Sequence, residues 1–109
     1  MVPHEAAQSV SPLETSGEVL TVLADATCRA MLEAMADEAL TAAELAETTG
    51  IPLSTVYRKL DQLIDTRLVV STYRLGVDGK HPRQYRCNFD QILIQMAAGS
   101  ERALHVSIR

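Results

Sequence analysis

A chain of 109 residues, 47% hydrophobic and 22% charged with only 5 Gly and 4 Pro, has room for one globular domain and excludes a multi-domain enzyme, a collagen-like chain or a disordered polymer. Its formal net charge of -4, taken as a sum, argues against a nucleic-acid partner. Two cysteines, Cys28 and Cys87, make neither a CxxC pair nor a disulfide framework, as expected of a reduced, cytoplasmic protein. The opening residues carry acids and prolines in place of a basic start and an apolar run. No apolar stretch approaches the roughly 18 residues that cross a bilayer, so neither a targeting segment nor a membrane partner is expected.

In chain order, residues 1–14 mix Pro3, Ser9, Ser11 and Pro12 without an apolar period and read as a flexible N-terminal tail. From Glu18 onward Val19, Leu20, Val22 and Leu23 open a helical pattern. Asp25 and Thr27 interrupt it as candidate caps, and Met31, Leu32 and Met35 resume it, which fits two short helices or one bent helix. Thr41 and Glu44 then form a Thr-x-x-Glu capping box that starts a helix at about Ala42. Thr48, Thr49 and Gly50 stop it, and Pro52 starts another.

In that next helix Val56, Leu60, Leu63 and Ile64 share one stripe, with Ser54, Arg58 and Gln62 opposite. After Arg67 the period becomes two: Leu68 to Leu75 is a strand, Gly76, Asp78 and Gly79 a turn, and Gln84 to Asn88 a returning strand. Ile92, Leu93 and Met96 predict a closing helix from about Asp90 to Ala98, broken by Gly99. The last ten residues suit helix and strand equally.

Two short helices joined by a tight turn, the second offering polar side chains and followed by a hairpin, is the order of a winged helix-turn-helix, a mainly α fold with a small β-hairpin wing. A reading helix buries one stripe and presents its opposite face to base edges in the major groove. Ser54, Thr55, Tyr57, Arg58 and Gln62 occupy or flank that face, with Lys59 at its margin for phosphate, and the hairpin tip adds Lys80, His81, Arg83 and Arg86. Splitting the charge resolves the conflict with the acidic total. Residues 1–51 hold nine acids and one base, residues 52–86 seven bases and three acids, and residues 87–109 balance. The segment assigned to reading helix and wing is thus the basic one, as phosphate neutralisation requires.

The stretches LADATCRAMLEAM and LTAAELAETTGIPLSTVYRKLDQLIDTRLVV, with a wing ending in HPRQYRC, resemble the ArsR-like winged-helix regulators, particularly the small haloarchaeal ones. The resemblance spans about Val19 to Phe89, and IPLSTVYRKLDQL with GKHPRQYR is its most specific part. It implies a DNA-binding transcription regulator, often a homodimer, with Ser54, Thr55, Tyr57, Arg58 and Lys59 on the recognition helix. Three departures stand out: Cys28 where such proteins often carry arginine, Thr66-Arg67 in place of Ala-Gly after the recognition helix, and no paired-cysteine metal motif. Eight Arg against two Lys, with an acidic scaffold, agree with a halophilic source.

Singly, Arg58 and Lys59 would read as solvated surface, and Tyr57 suits packing as well as contact with DNA. Arg74 and Arg86 lie on strands whose alternation leaves their direction open, so Lys80 and Arg83 are the better wing candidates. His4, His81, His105 and the cysteines lack metal-ligand spacing, and Cys28 reads as a small buried residue. No phosphate loop, nucleophile-base pair or cofactor motif is present, so no metal, no cofactor and no enzymatic activity are expected. Surplus apolar residues (Val19, Leu20, Leu23, Ile92, Leu93 and Met96) suit a twofold interface on a pseudo-palindromic duplex site. The expected domain covers residues 15–98, with 99–109 as a C-terminal extension. The competing reading is a winged helix used as a protein-protein module in a transcription or replication assembly.

Overall fold

The computed structural model describes residues 9–10, 13–76, 79, 81–99 and 103–109; most of the expected tail, residues 1–8 and 11–12, lies outside them. After a two-residue strand, four helices follow in succession: α1 (Leu13–Ala24), α2 (Ala26–Ala34), α3 (Ala42–Thr49) and α4 (Leu53–Asp65). The strands are β1 (Ser9–Val10), β2 (Val69–Tyr73), β3 (Arg83–Cys87), β4 (Ile92–Ala97) and β5 (Ala103–Ile108).

Each helix boundary has a local cause. Asp25 separates α1 from α2 as an extended N-cap, its carboxylate accepting from the Thr27 and Cys28 N–H groups at 2.8 and 3.3 Å. The first pattern is therefore two helices. The capping box at α3 is complete: Thr41 Oγ1 accepts from Glu44 N, and Glu44 Oε1 accepts from Thr41 N. Gly50, at φ 78°, ends α3 in the left-handed conformation that a glycine adopts without steric cost. Pro52 then caps α4.

Behind α4 the chain turns at Arg67, a non-glycine residue at φ 67°. Its N–H bonds Ile64 O, and its carbonyl accepts from Asn88 Nδ2. β2 and β3 pair antiparallel from Val69↔Cys87 to Tyr73↔Arg83, and Leu40 bridges the far side of β3 through two backbone bonds with Tyr85. The wing is thereby tied to the loop before α3.

One core unites these parts. Val19 and Val22 of α1, Met31 and Leu32 of α2, Leu45 of α3, and Val56, Leu60 and Leu63 of α4 are buried together with Val69, Tyr85 and Val106 of the strands. Cys28 and Met35 belong to the same cluster, so the thiol at the position where the resembled family often has arginine is core packing, and burial pushes its pKa up.

The closing helix expected over 90–98 is corrected: Ile92–Ala97 is β4, paired antiparallel with β5 from Ile92↔Ile108 to Ala97↔Ala103. The apolar run Ile-Leu-Ile fits both periods, and the deciding contact is the strand β5 further along the chain, which pairs Ile92, Leu93 and Ile94 with Ile108, Ser107 and Val106. β5 in turn pairs β1, giving the order β1-β5-β4.

Candidate nucleic-acid interface

The face of α4 follows from its stripe. Val56, Leu60 and Leu63 are fully buried, so the residues a half-turn away must face outward. Ser54, Arg58 and Gln62 are exposed and Tyr57 is 52% exposed, while Thr55 and Lys59 are half-buried at the margins. Asp61 also lies on the outward side, a residue that a search for cations and amides passes over. Its spacing, i+3 from Arg58 and i+4 from Tyr57, would have revealed it. A carboxylate there repels phosphate and can accept from a cytosine amino group.

Lys59 is directed inward. Its Nζ is 2.5 Å from Asp25 Oδ2, with the two side chains only 16% and 28% exposed. The Lys59 ammonium, aided by the two capping N–H groups, holds the Asp25 carboxyl below its ordinary range. The lysine therefore fastens α4 to the start of α2. No sequence signal pointed to this pair, because its members are 34 residues apart.

The wing cations separate in the same way. Arg83 shares a hairpin face with Tyr85, its guanidinium 5.7 Å from the ring centroid and bonded to Ser71 Oγ at 3.1 Å. Burial raises the pKa of the Tyr85 hydroxyl, and the Arg83 guanidinium over its ring opposes that rise. Strand alternation sends Arg86 to the opposite face, where its guanidinium bonds the Cys87 carbonyl. Arg74 pairs with Glu44 of α3 at 3.0 Å, and the Glu44 carboxyl is held low chiefly by the Thr41 N–H and then by Arg74. His81 is exposed; Lys80 lies outside the described residues.

Ser54, Tyr57, Arg58, Asp61 and Gln62 thus form one polar face of α4, Arg83 stays on the Tyr85 face of the hairpin, and Lys59, Arg74 and Arg86 are engaged elsewhere. Tyr73 and Leu75 of the wing, 66% and 89% exposed, are apolar groups left in solvent. Among the described residues no three His, Cys, Asp or Glu side chains converge as a metal site would need. Nor is any described helix long and apolar enough to cross a membrane.

No curated protein matches the chain significantly. A family model described as a helix-turn-helix domain matches residues 23–72, from the end of α1 into β2, and supports a DNA-binding regulator. Residues 23–72 therefore form a helix-turn-helix domain, and the β2–β3 hairpin makes it a winged one.

Proposed function

We propose that the chain is a sequence-specific transcription regulator of the ArsR-like kind seen in haloarchaea. In this reading it acts in the cytoplasm without catalysis of its own and binds duplex DNA as a homodimer on a pseudo-palindromic site. The observation that carries the reading is the outward face of α4, where Ser54, Tyr57, Arg58, Asp61 and Gln62 stand opposite a fully buried stripe. Thr55 supports the first turn of that face, and Lys59 contributes by holding α4 in place. Lys80, His81 and Arg83 of the wing supply charge to the backbone, and Arg86, on the other face of the hairpin, adds to the positive field of the wing without facing α4. Replacing Arg58 by Ala should weaken specific binding by about 1 to 3 kcal/mol and relax preference at one base position. Unchanged affinity and preference in a selection from random duplexes would remove Arg58 from the reading set.

One observation favours the protein-protein module instead: the Lys59–Asp25 and Arg74–Glu44 pairs withdraw two cations from the basic segment. Retention on random duplex DNA decides between the two. A regulator binds at low salt and releases as salt rises; failure to bind at any salt would leave the module.

A further inference from the structure

Among the described residues no strand pairs with the outer edge of β4, since the sheet runs β1-β5-β4. Open edges are normally guarded by charge, proline or a bulge. β4 reads Ile-Leu-Ile-Gln-Met-Ala, with no charged residue and no proline, and its pairing with β5 runs through six successive residues without a bulge. Ile92, Ile94 and Met96 share one face with Leu104, Val106 and Ile108 of β5. The inner part of that face belongs to the core, where Val106 is fully buried, but Ile94 is 50% and Met96 76% exposed.

We propose that the open edge of β4 docks a second copy of this chain, strand against strand, in the antiparallel register that opposes Ile94 to its own counterpart. The proposal deepens the homodimer reading above and rests on it. Face matching narrows the register. A twofold axis perpendicular to the sheet keeps the apolar faces on one side only when paired residues have the same parity, which any residue-centred register provides. Centring on Ile94, which pairs Ile92 with Met96 and Leu93 with Gln95, is the one that also sets the half-exposed Ile94 against its own copy at the axis. The result is a six-stranded sheet, an ordinary size.

Charge permits the contact, because residues 87–109 carry no net charge and the excess of acids lies in residues 1–51. Area sets its strength. A six-residue edge is about 20 Å long and a sheet with its side chains about 10 Å thick, so strand pairing covers a few hundred Å² per copy, below the roughly 800 Å² of a standard partner surface. The contact is therefore weak in free solution and is strengthened when a duplex with two half-sites holds both copies.

The test is sedimentation velocity over about a hundredfold range of concentration, for the parent and for Ile94→Lys, combined with mild oxidation of Ile94→Cys and Met96→Cys. Ile94 is half-exposed, so the lysine can reach solvent, and an unchanged circular dichroism spectrum establishes that the variant folds. The parent should dimerise at high concentration, and Ile94→Lys should raise the dissociation constant at least about tenfold. Ile94→Cys should cross-link to its copy. Met96→Cys should do so far more slowly, because its counterpart lies about 13 Å along the strand in this register. A parent that stays monomeric with and without DNA, a dimer indifferent to Ile94→Lys, or equal cross-linking of both cysteines would each overturn the proposal. Retention of Ile94→Lys on random duplex at low salt separates the two readings. If DNA binding persists while the dimer is lost, both stand; if the parent dimerises but binds no DNA, the DNA-binding reading fails and the edge contact survives.

Discussion

Lys59 offers the sharpest check on the interface, because sequence and tertiary structure assign it different work. On the recognition helix it is a candidate phosphate contact; in the fold its ammonium lies 2.5 Å from Asp25, the N-cap of α2. Consider Lys59→Met, which keeps the aliphatic stem. The pair is neither a surface ion pair, worth up to about 1 kcal/mol, nor a fully buried one whose disruption costs about 3 to 5 kcal/mol. With side chains 16% and 28% exposed, and with Asp25 still accepting from two backbone N–H groups, the expected loss is about 1 to 2 kcal/mol. For a domain of this size that lowers Tm by roughly 4 to 15 °C.

Asp25→Ala should cost more, about 2 to 3 kcal/mol, since it also removes the cap and leaves a half-buried ammonium unpaired. The double variant should therefore lose less than the sum of the two single losses, by about 1 kcal/mol. Thermal unfolding measures all three. The second readout is the salt dependence of binding to duplex DNA, in which each neutralised phosphate contributes about 0.9 to the logarithmic slope. Lys59→Met should leave that slope unchanged. A slope shallower by about one, with stability intact, would refute the reasoning and return Lys59 to the phosphate backbone.

Other consequences follow from the local geometry. Thr41→Ala removes the hydroxyl that accepts from Glu44 N and should destabilise the fold by about 1 kcal/mol in denaturant titration; an unchanged midpoint would mean that the box contributes nothing to α3. Arg67→Gly relieves a left-handed non-glycine residue and should raise stability by about 0.5 to 1 kcal/mol, whereas a loss would show that the guanidinium matters more than the backbone. Both Asp25 and Glu44 have folded-state pKa values below their ordinary ones. Their contribution is therefore complete above the unfolded values near 4 and is lost as pH falls through the lower folded values. Asp25→Asn should flatten this acid limb in a pH series of thermal midpoints, and an identical limb would detach the pair from acid stability.

Much of the helical half was legible because its causes are local. The capping box at Thr41 and Glu44, the stop at Gly50, the start at Pro52 and the stripe of α4 each depend on residues within a turn or two of one another. The outward positions of Ser54, Arg58 and Gln62 follow from that stripe, whereas Tyr57, at its edge, is seen to be half-exposed only in the structure; the two-strand wing follows from the change of period after Arg67. Segmental charge, with the bases gathered in residues 52–86, was likewise readable without coordinates.

What only the tertiary structure decided depends on partners far along the chain. Lys59 turns to a carboxylate 34 residues earlier, and Arg74 to one 30 residues earlier. Ile92–Ala97 is a strand because Ala103–Ile108 returns beside it. Strand pairing and ion pairing have no period in sequence. A short apolar run satisfies helix and strand patterns alike until a neighbour supplies the hydrogen bonds, and a surface cation keeps its charge for DNA only if the fold brings no acid within reach.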